Sequence, residues 1–171
     1  MTEVEFHTGV ADPVDFACRL LRKAYRQGSK VLVTAPEAML AQIDRALWVL
    51  DERDFVPHLR LAQLNHPDKH RTAALTPIWL ARSVAEMLQS CDAPAHENQT
   101  RADLNGGPGV VVNVGADAPV AEDMLALPLR WIEVVAIDAD EAARGRERWR
   151  AYKALGLDVV HHKARAQDGR P

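Results

Sequence analysis

The chain lacks the residue patterns that indicate a disulfide framework, a zinc site or a membrane segment. Its two cysteines, Cys18 and Cys91, lie far apart and without CxxC spacing. This usage excludes a disulfide scaffold and a zinc ribbon, and the helical pattern around Cys18 predicts a small buried hydrophobic side chain. No apolar run approaches membrane-spanning length, and residues 1–6 lack the basic region and apolar stretch of a signal peptide. We therefore expect a cytoplasmic protein without a membrane contact.

Fingerprints of the common nucleotide-dependent enzymes are also missing. The turn at residues 9–12 is not G-x-G-x-x-G, and neither G-x-x-x-x-G-K-[ST] nor G-x-S-x-G occurs. The glycine-rich segment 105–109 precedes a strand, whereas a phosphate cradle needs backbone amides at the start of a helix. His66 and His70 are four residues apart, but Pro67 and polar neighbours predict a loop there, without a third ligand. The sequence thus predicts no catalytic residue, no metal and no cofactor.

The overall charge does not favour nonspecific binding to nucleic acid. The formal net charge is -3 at pH 7, so the whole surface should not attract a polyanion. Positive charge is concentrated between residues 141 and 153, where five cations accompany two carboxylates. A local cationic surface on a negatively charged chain can select its partner.

Alternating strand and helix signals predict the fold class. Residues 4–8 alternate as a strand does, and Asp12-Pro13 opens a helix that ends at Gly28. The apolar run 30–34 is typical of a strand buried on both faces, and a helix follows from Pro36 to Leu50. Further strands are predicted at 77–80, 110–114 and 131–136, with a short edge strand at 159–160. This order predicts a single-domain, three-layer, Rossmann-like α/β fold with a mostly parallel sheet and helices on both faces.

The 171 residues are enough for one domain with a hydrophobic core, and no internal repeat or domain boundary is visible. We expect the α/β domain to cover residues 1–162. Residues 81–109 are predicted to be a loop or insertion, with a helical turn at 83–88. Residues 163–171 are polar and are predicted to form a disordered tail.

The segment from Arg146 to Leu157 is the most informative part of the sequence. It is typical of the last turns of a helix that Asp138 caps and that ends at Gly156 in a left-handed conformation. Helical spacing predicts a cationic stripe around an indole, formed by Arg146, Trp149, Arg150 and Lys153. A second stripe is predicted to face inward and consists of Gly145, Arg148, Tyr152 and Leu155. The cationic stripe suits an acidic aromatic peptide or a nucleic acid strand; the alternative is that Trp149 belongs to the core and the arginines are solvated.

Two segments together resemble the chi subunit of the bacterial DNA polymerase III holoenzyme. The first is Leu47-Trp48, followed after six residues by Phe55-Val56-Pro57-His58. The second is the run from Arg146 to Lys153 with Gly156-Leu157. The resemblance covers roughly residues 1–60 and 130–157. It implies a Rossmann-like fold without a nucleotide site and a protein without catalytic activity.

The resemblance also implies an adaptor. Chi joins the clamp loader, through the psi subunit, to the C-terminal tail of single-stranded DNA-binding protein, so DNA would be contacted only indirectly. That tail is acidic and ends in an aromatic residue with a free carboxylate, which suits the guanidinium of Arg146 or Arg150, with Lys153 beside them. The tail's ring would enter a slot formed by Val135, Trp149, Gly156 and Leu157. Trp149 stands where the family usually has tyrosine, which implies a wider stacking wall, and Ala142 matches a position that can carry lysine.

The first motif matches the family's second surface, which implies contact with psi and with a helicase. We expect an exposed Trp48, because Leu47 and Leu50 already fill the inward positions of its helix. The alternative is that Trp48 follows Leu47 into the core. Phe55, Val56 and Pro57 complete this surface in the resemblance.

Arg148 and Tyr152 lie on the inward stripe, so we predict a structural role for them, with Arg148 paired to a buried or half-buried carboxylate. Two other function classes stay open at this point. One is an α/β enzyme with a small-molecule site at the carboxyl ends of the strands. The other is a direct binder of single-stranded DNA that uses Trp149 and its arginines.

Overall fold

A parallel seven-stranded sheet organises the chain in the computed structural model, which describes residues 3–49, 55–64, 69–90, 108–126 and 130–164. Every strand pair in these ranges is parallel, and the strand order is β3-β4-β2-β5-β6-β1-β7. The strands are β1 (Glu3–Val10), β2 (Val31–Thr34), β3 (His58–Arg60), β4 (Ile78–Ala81), β5 (Val110–Asn113), β6 (Arg130–Ala136) and β7 (Asp158–Lys163). The predicted parallel sheet is confirmed.

Helices cover both faces of this sheet. They are α1 (Pro13–Arg26), α2 (Glu37–Val49), α3 (Lys69–Leu75), α4 (Val84–Ser90), α5 (Ala121–Ala126) and α6 (Ala139–Ala154), and a 3-10 turn occupies Leu61–Gln63. Residues of α1 and α2 pack in one hydrophobic cluster, and residues of α3 to α6 pack in another on the opposite face. The three-layer, Rossmann-like α/β prediction is therefore confirmed.

Local sequence signals explain how the first elements begin. The Asp12 carboxylate accepts a hydrogen bond from the Asp15 amide, and Pro13 occupies the first turn, where its missing amide hydrogen has no cost. All four residues of β2 are buried, as the continuous apolar run predicts. Cys18 is buried on α1, and burial raises the pKa of its thiol to about 12. These features match the predictions for residues 4–34.

Several predicted boundaries need correction. Within the predicted insertion 81–109, Ala81 belongs to β4 and the predicted helical turn is the helix α4. Lys163, predicted to begin a disordered tail, ends β7, because it pairs with Thr8 and because the next amide, of Ala164, donates to the Thr8 carbonyl. Leu155, predicted to face inward, is 43% exposed because it follows the end of α6. The predictions for Leu50, His66, Cys91, the glycine-rich segment before Pro108 and residues 165–171 lie outside the described residues.

A buried polar network fastens α6 to the sheet. The Glu133 side chain of β6 is completely buried and accepts from Arg148 Nε at 2.8 Å, Tyr152 Oη at 2.5 Å and Asn113 Nδ2 at 2.9 Å. Burial raises the pKa of the Glu133 carboxyl, and Arg148, Tyr152 and Asn113 pull that pKa down. The predicted pairing of Arg148 with a buried carboxylate is confirmed. Helix α6 is thereby fixed in register against β6.

Replacing Arg148 with methionine should test this network. The change leaves a buried carboxylate without its cation, so the free energy of unfolding should fall by about 3–5 kcal/mol at neutral pH. Loss of the cation also raises the folded-state pKa of Glu133 further. The variant should therefore regain stability as the pH falls and Glu133 takes up a proton, and lose stability as the pH rises through that pKa. Urea unfolding at about pH 5 and about pH 8 measures both effects.

Arg150→Met is the matched control, because Arg150 is exposed on the same helix and is in no ion pair among the described residues. It should change stability by less than about 0.5 kcal/mol. Equal losses in the two variants would contradict the role of the network.

Candidate functional site

A groove of about 490 Å³ lies beside α6 at the carboxyl ends of β1 and β6. At this point α1 leaves β1 towards one face of the sheet and α6 leaves β6 towards the other, which opens a crevice between the strand ends. Its volume is within the range of ordinary ligand pockets. We call this cavity the α6 groove; its lining includes Phe6, Thr8, Val135, Arg146, Trp149 and His161.

Strand alternation explains the floor of the α6 groove. Val4 and Phe6 pack in the same cluster as Val135 and Tyr152, so these positions of β1 face α6, whereas Val10 packs in the cluster on the opposite face. His161 stands opposite Phe6 in the pairing of β1 with β7. The register of β1 with β6 shifts between His7 and Val10, where Gly9 has a φ of 70°. The floor is therefore apolar in its centre, where Phe6 and Val135 lie.

Gly145 allows α6 to lie close to β6. A Cβ atom at this position would lie 2.7 Å from Cγ1 of Val135, much closer than two carbon atoms can approach. The hydrogen side chain therefore sets the distance between helix and sheet, and with it the width of the groove. The same approach brings the next residue, Arg146, and the residue one turn on, Trp149, to the groove's rim.

The Trp149 indole forms one wall and is half-buried. Its ring centroid is 5.0 Å from that of Phe6, at an interplanar angle of 65°, and 6.1 Å from that of His161. Lys153 Nζ lies 5.9 Å from the indole centroid, within cation–π range. Trp149 thus packs against the floor and still lines the cavity.

Arg146 is the cation that lines the groove. It is exposed, and it is in no ion pair within the ranges that the structure describes, whereas Arg144 pairs with Glu141 at 3.0 Å. Ala142 also lines the groove and presents a methyl group there. An anionic ligand in the groove would therefore meet the guanidinium of Arg146.

The groove brings together three of the seven residues predicted from the sequence, namely Val135, Arg146 and Trp149. Arg150, Lys153, Gly156 and Leu157 lie further along α6 and after its end, outside the lining. Gly156 has a φ of 74°, and a Cβ atom there would meet nothing within 4 Å. The left-handed backbone that ends α6 therefore explains why residue 156 is a glycine.

Sequence reasoning missed Phe6, Thr8 and His161 as groove residues. The alternation of β1 indicates that Phe6 and Thr8 share a face, which is a usable signal. No local sequence pattern indicates that β7, which carries His161, lies next to β1, because this pairing depends on the order of strands in the whole sheet.

The second predicted surface is an exposed aromatic patch formed by Trp48 and Phe55. Their exposed fractions are 62% and 50%, and their ring centroids lie 5.1 Å apart. His58 packs against both rings: its ring centroid is 5.2 Å from that of Trp48 and 6.0 Å from that of Phe55, and its Nδ1 donates to the Val56 carbonyl at 2.7 Å. The predicted exposure of Trp48 is confirmed.

Val56 needs a correction. The sequence motif placed it on this surface, but its side chain is completely buried and packs in the core cluster with α1 and α2. An apolar residue between Phe55 and Pro57 fixes the chain to the core, so the aromatic ring before it is held at the surface. Pro57 is half-buried.

Two smaller cavities also lie at carboxyl ends of strands. One is lined by Thr34, Ser83 and Asp117 and the other by Met39, Val114 and Glu141, among other residues. Among the described carboxyl, imidazole, thiol and phenol groups, those with a shifted pKa are Glu5, His7, Cys18, Glu133 and Tyr152. None of these side chains belongs to the lining of the three cavities. The described residues contain no cluster of three metal-ligating side chains and no helix able to cross a membrane.

Gly145→Ala should widen the groove and destabilise the protein. The added methyl group collides with the stiff Val135 side chain, which we expect to cost about 1–3 kcal/mol, partly offset by the better helix propensity of alanine. Thermal unfolding measures the loss. A Val135→Ala change in the same chain removes the colliding methyl groups, so the two changes should be less than additive. Full additivity would show that the close approach of α6 does not limit the packing.

Comparisons with known proteins agree with this architecture. The family model described as DNA polymerase III chi subunit, HolC, matches residues 1–160. A curated relative, DNA polymerase III subunit chi of Pseudomonas aeruginosa, is 43% identical over 63 residues, which are 34% of this chain and 44% of the relative. The match therefore spans less than half of that relative's length.

Among solved structures, the C-terminal domain of S. cerevisiae Dbp5 bound to Gle1 and IP6 superimposes with a TM-score of 0.57. The two chains are 13% identical, and the superposition covers 98% of this chain and 93% of the other. At this identity the similarity shows the fold alone.

Proposed function

Because the chain belongs to the family of DNA polymerase III chi subunits, we propose that it is a non-catalytic adaptor of the replication machinery. In this proposal the α6 groove binds the acidic C-terminal tail of single-stranded DNA-binding protein, and a second surface binds the psi subunit of the clamp loader. One observation carries it: the Arg146 guanidinium, which is in no ion pair with the described residues, stands beside the half-buried Trp149 ring over an apolar floor.

The groove offers complementary groups for the end of such a tail. The terminal aromatic ring would lie on Phe6 and Val135 beside Trp149, and burying it is worth about 1.5–3 kcal/mol. The terminal carboxylate would accept from Arg146, and each charge-assisted hydrogen bond is worth about 1.5–3 kcal/mol. The cost of ordering a disordered tail reduces the sum. We therefore expect affinity near micromolar, weakened by salt.

The remaining predicted residues extend this site along α6. Arg150 and Lys153 are exposed below Arg146, where they would attract the carboxylates that precede the tail's end. Gly156 and Leu157 follow the helix and would form the lower end of the contact. These charges raise the rate of encounter more than they raise the affinity.

The aromatic patch is the proposed site for psi and for a helicase. Aromatic residues, tryptophan above all, contribute much of the binding energy at protein–protein interfaces, and here two exposed aromatic rings are adjacent. The patch lies beside β3, at one edge of the sheet, whereas the groove lies at β6, β1 and β7, towards the other edge. Four to six strand spacings of about 4.8 Å separate the two surfaces, or about 20–30 Å in all. Both partners would therefore have room to bind at once, which an adaptor in the cytoplasm requires.

The other two function classes receive less support. The described carboxyl, imidazole, thiol and phenol groups with a shifted pKa are absent from the lining of the three cavities, so the enzyme hypothesis gains no candidate acid or base from them. The single-strand hypothesis would use the same cations of α6 as the proposed site, but the net charge of -3 and an apolar floor beside one indole favour a peptide with a single terminal ring.

Arg146→Ala should weaken binding of the tail peptide roughly tenfold to hundredfold, because a carboxylate loses its charge-assisted hydrogen bonds. Trp149→Ala should weaken binding to a similar extent, because the ring loses a wall. Fluorescence anisotropy with a labelled acidic peptide that ends in phenylalanine measures both. The peptide with an amidated C-terminus should bind weakly to the unaltered protein.

Arg144→Ala is the matched control, since Arg144 is an exposed arginine of α6 that already pairs with Glu141. It should leave peptide binding within about twofold. Retained binding in Arg146→Ala and Trp149→Ala together would reject this groove, and binding of a bare oligonucleotide in place of the peptide would favour the single-strand hypothesis.

Trp48→Ala should impair association with psi and leave binding of the tail peptide unchanged, because at least four strand spacings separate the patch from the groove. Loss of an exposed interface tryptophan costs about 2 kcal/mol or more, a loss of roughly thirtyfold. Leu75→Ala removes an equally exposed apolar side chain elsewhere and serves as control. Co-purification with psi measures binding at the patch, and peptide titration measures binding at the groove. An equal loss of psi association in Trp48→Ala and Leu75→Ala would exclude the patch as the psi site.

A further inference from the structure

Thr8 and His161 form a second polar wall of the α6 groove. Thr8 Oγ1 and His161 Nε2 are 2.6 Å apart, in a hydrogen bond that joins β1 to β7. Both side chains line the groove together with Arg146 of α6. The wall therefore comes from the sheet edge, whereas all cations predicted for the site come from the helix.

The orientation of this wall follows from the strand register. Phe6 pairs with His161 and Thr8 pairs with Lys163, so Thr8 lies one step beyond His161 along the strands and can reach its ring. His161 also contacts the Trp149 ring edge-on. The neighbouring residue, His162, points to the other face of the sheet, where its ring stacks on His7 at 5.0 Å. Only the first of these two adjacent histidines belongs to the groove lining.

The hydrogen bond with Thr8 determines what His161 can offer a ligand. When the Thr8 hydroxyl donates to Nε2, the ring proton resides on Nδ1, which becomes a hydrogen-bond donor. A carboxylate only accepts hydrogen bonds, so its binding selects this arrangement. Apart from the indole N–H of Trp149, the polar side chains of the groove lining are Thr8, Arg146 and His161.

We propose that His161, oriented by Thr8, is a second carboxylate-binding residue of the α6 groove, on the wall across from the helix that carries Arg146. The inference rests on the proposed binding of an acidic tail and adds a specificity-determining residue to it. The carboxylate can be the terminal one or that of an acidic side chain near the end. Thr8 is a positioning residue, since it acts through the ring of His161.

The test compares three probe peptides: an acidic peptide ending in phenylalanine, the same peptide with an amidated end, and the same peptide with asparagine in place of each aspartate. His161→Leu should weaken the first peptide about threefold to tenfold, the worth of one hydrogen bond. The effect should vanish on whichever analogue lacks the carboxylate that His161 binds. His161→Asn keeps a donor near the position of Nδ1 and should retain most of the affinity.

Thr8→Val should reproduce part of the His161→Leu effect, with the same dependence on the peptide, and Thr8→Ser should restore binding. His162→Leu is the matched control, because it removes the adjacent histidine from the other face of the sheet, and it should leave binding unchanged. Unaltered affinity of His161→Leu for the first peptide would overturn the proposal while leaving the adaptor function intact.

An equal loss on all three peptides would also overturn the proposal, because it would mean that His161 only packs against Trp149. If the unaltered protein binds none of the peptides, the proposed function itself fails. Isothermal titration calorimetry at fixed salt distinguishes these results.

Discussion

The structure depends on the buried carboxylate of Glu133, which holds α6 against the sheet. Arg148, Tyr152 and Asn113 all donate to it, and each comes from a different point of α6 or the neighbouring strand β5. A charge so deeply buried is costly to desolvate, so its main contribution is the fixed register of the helix. Arg146 and Trp149 alternate along α6 with the residues of this network. Their positions at the groove are therefore set by the inward side of the same helix.

The parallel topology of the sheet helps to determine where the two proposed binding surfaces lie. Each crossover returns to the amino end of the sheet, so the carboxyl ends form a row on which crevices open where neighbouring helices diverge. The groove uses the crevice between β1 and β6. The aromatic patch needs no crevice, because Val56 anchors the chain in the core and leaves Phe55 and Trp48 at the surface. One sheet thus supports a groove and an exposed aromatic patch.

Much of the fold could be predicted because its signals are local. Asp12-Pro13, the apolar run of β2 and the two stripes of α6 depend on residues a few positions apart, and the structure agrees with each of them except at Leu155. The short elements β3, α3 and α5 have too few residues for a periodic pattern, and they were not predicted. The site was half predictable for the same reason. Its helical wall follows from spacing within α6, whereas Phe6, Thr8 and His161 enter through strand pairing, which no local pattern encodes.

The hydrogen bond between Thr8 and His161 spans 153 positions of the chain. Closing so long a loop costs more conformational entropy than forming a helical turn, so this side of the groove depends on the pairing of distant strands, whereas the helical side does not. A partly folded molecule can already possess a cationic helix, yet it has no opposite side against which a ligand could be enclosed. Enclosure of a ligand between the two sides of the groove would therefore require β7 to be paired with β1.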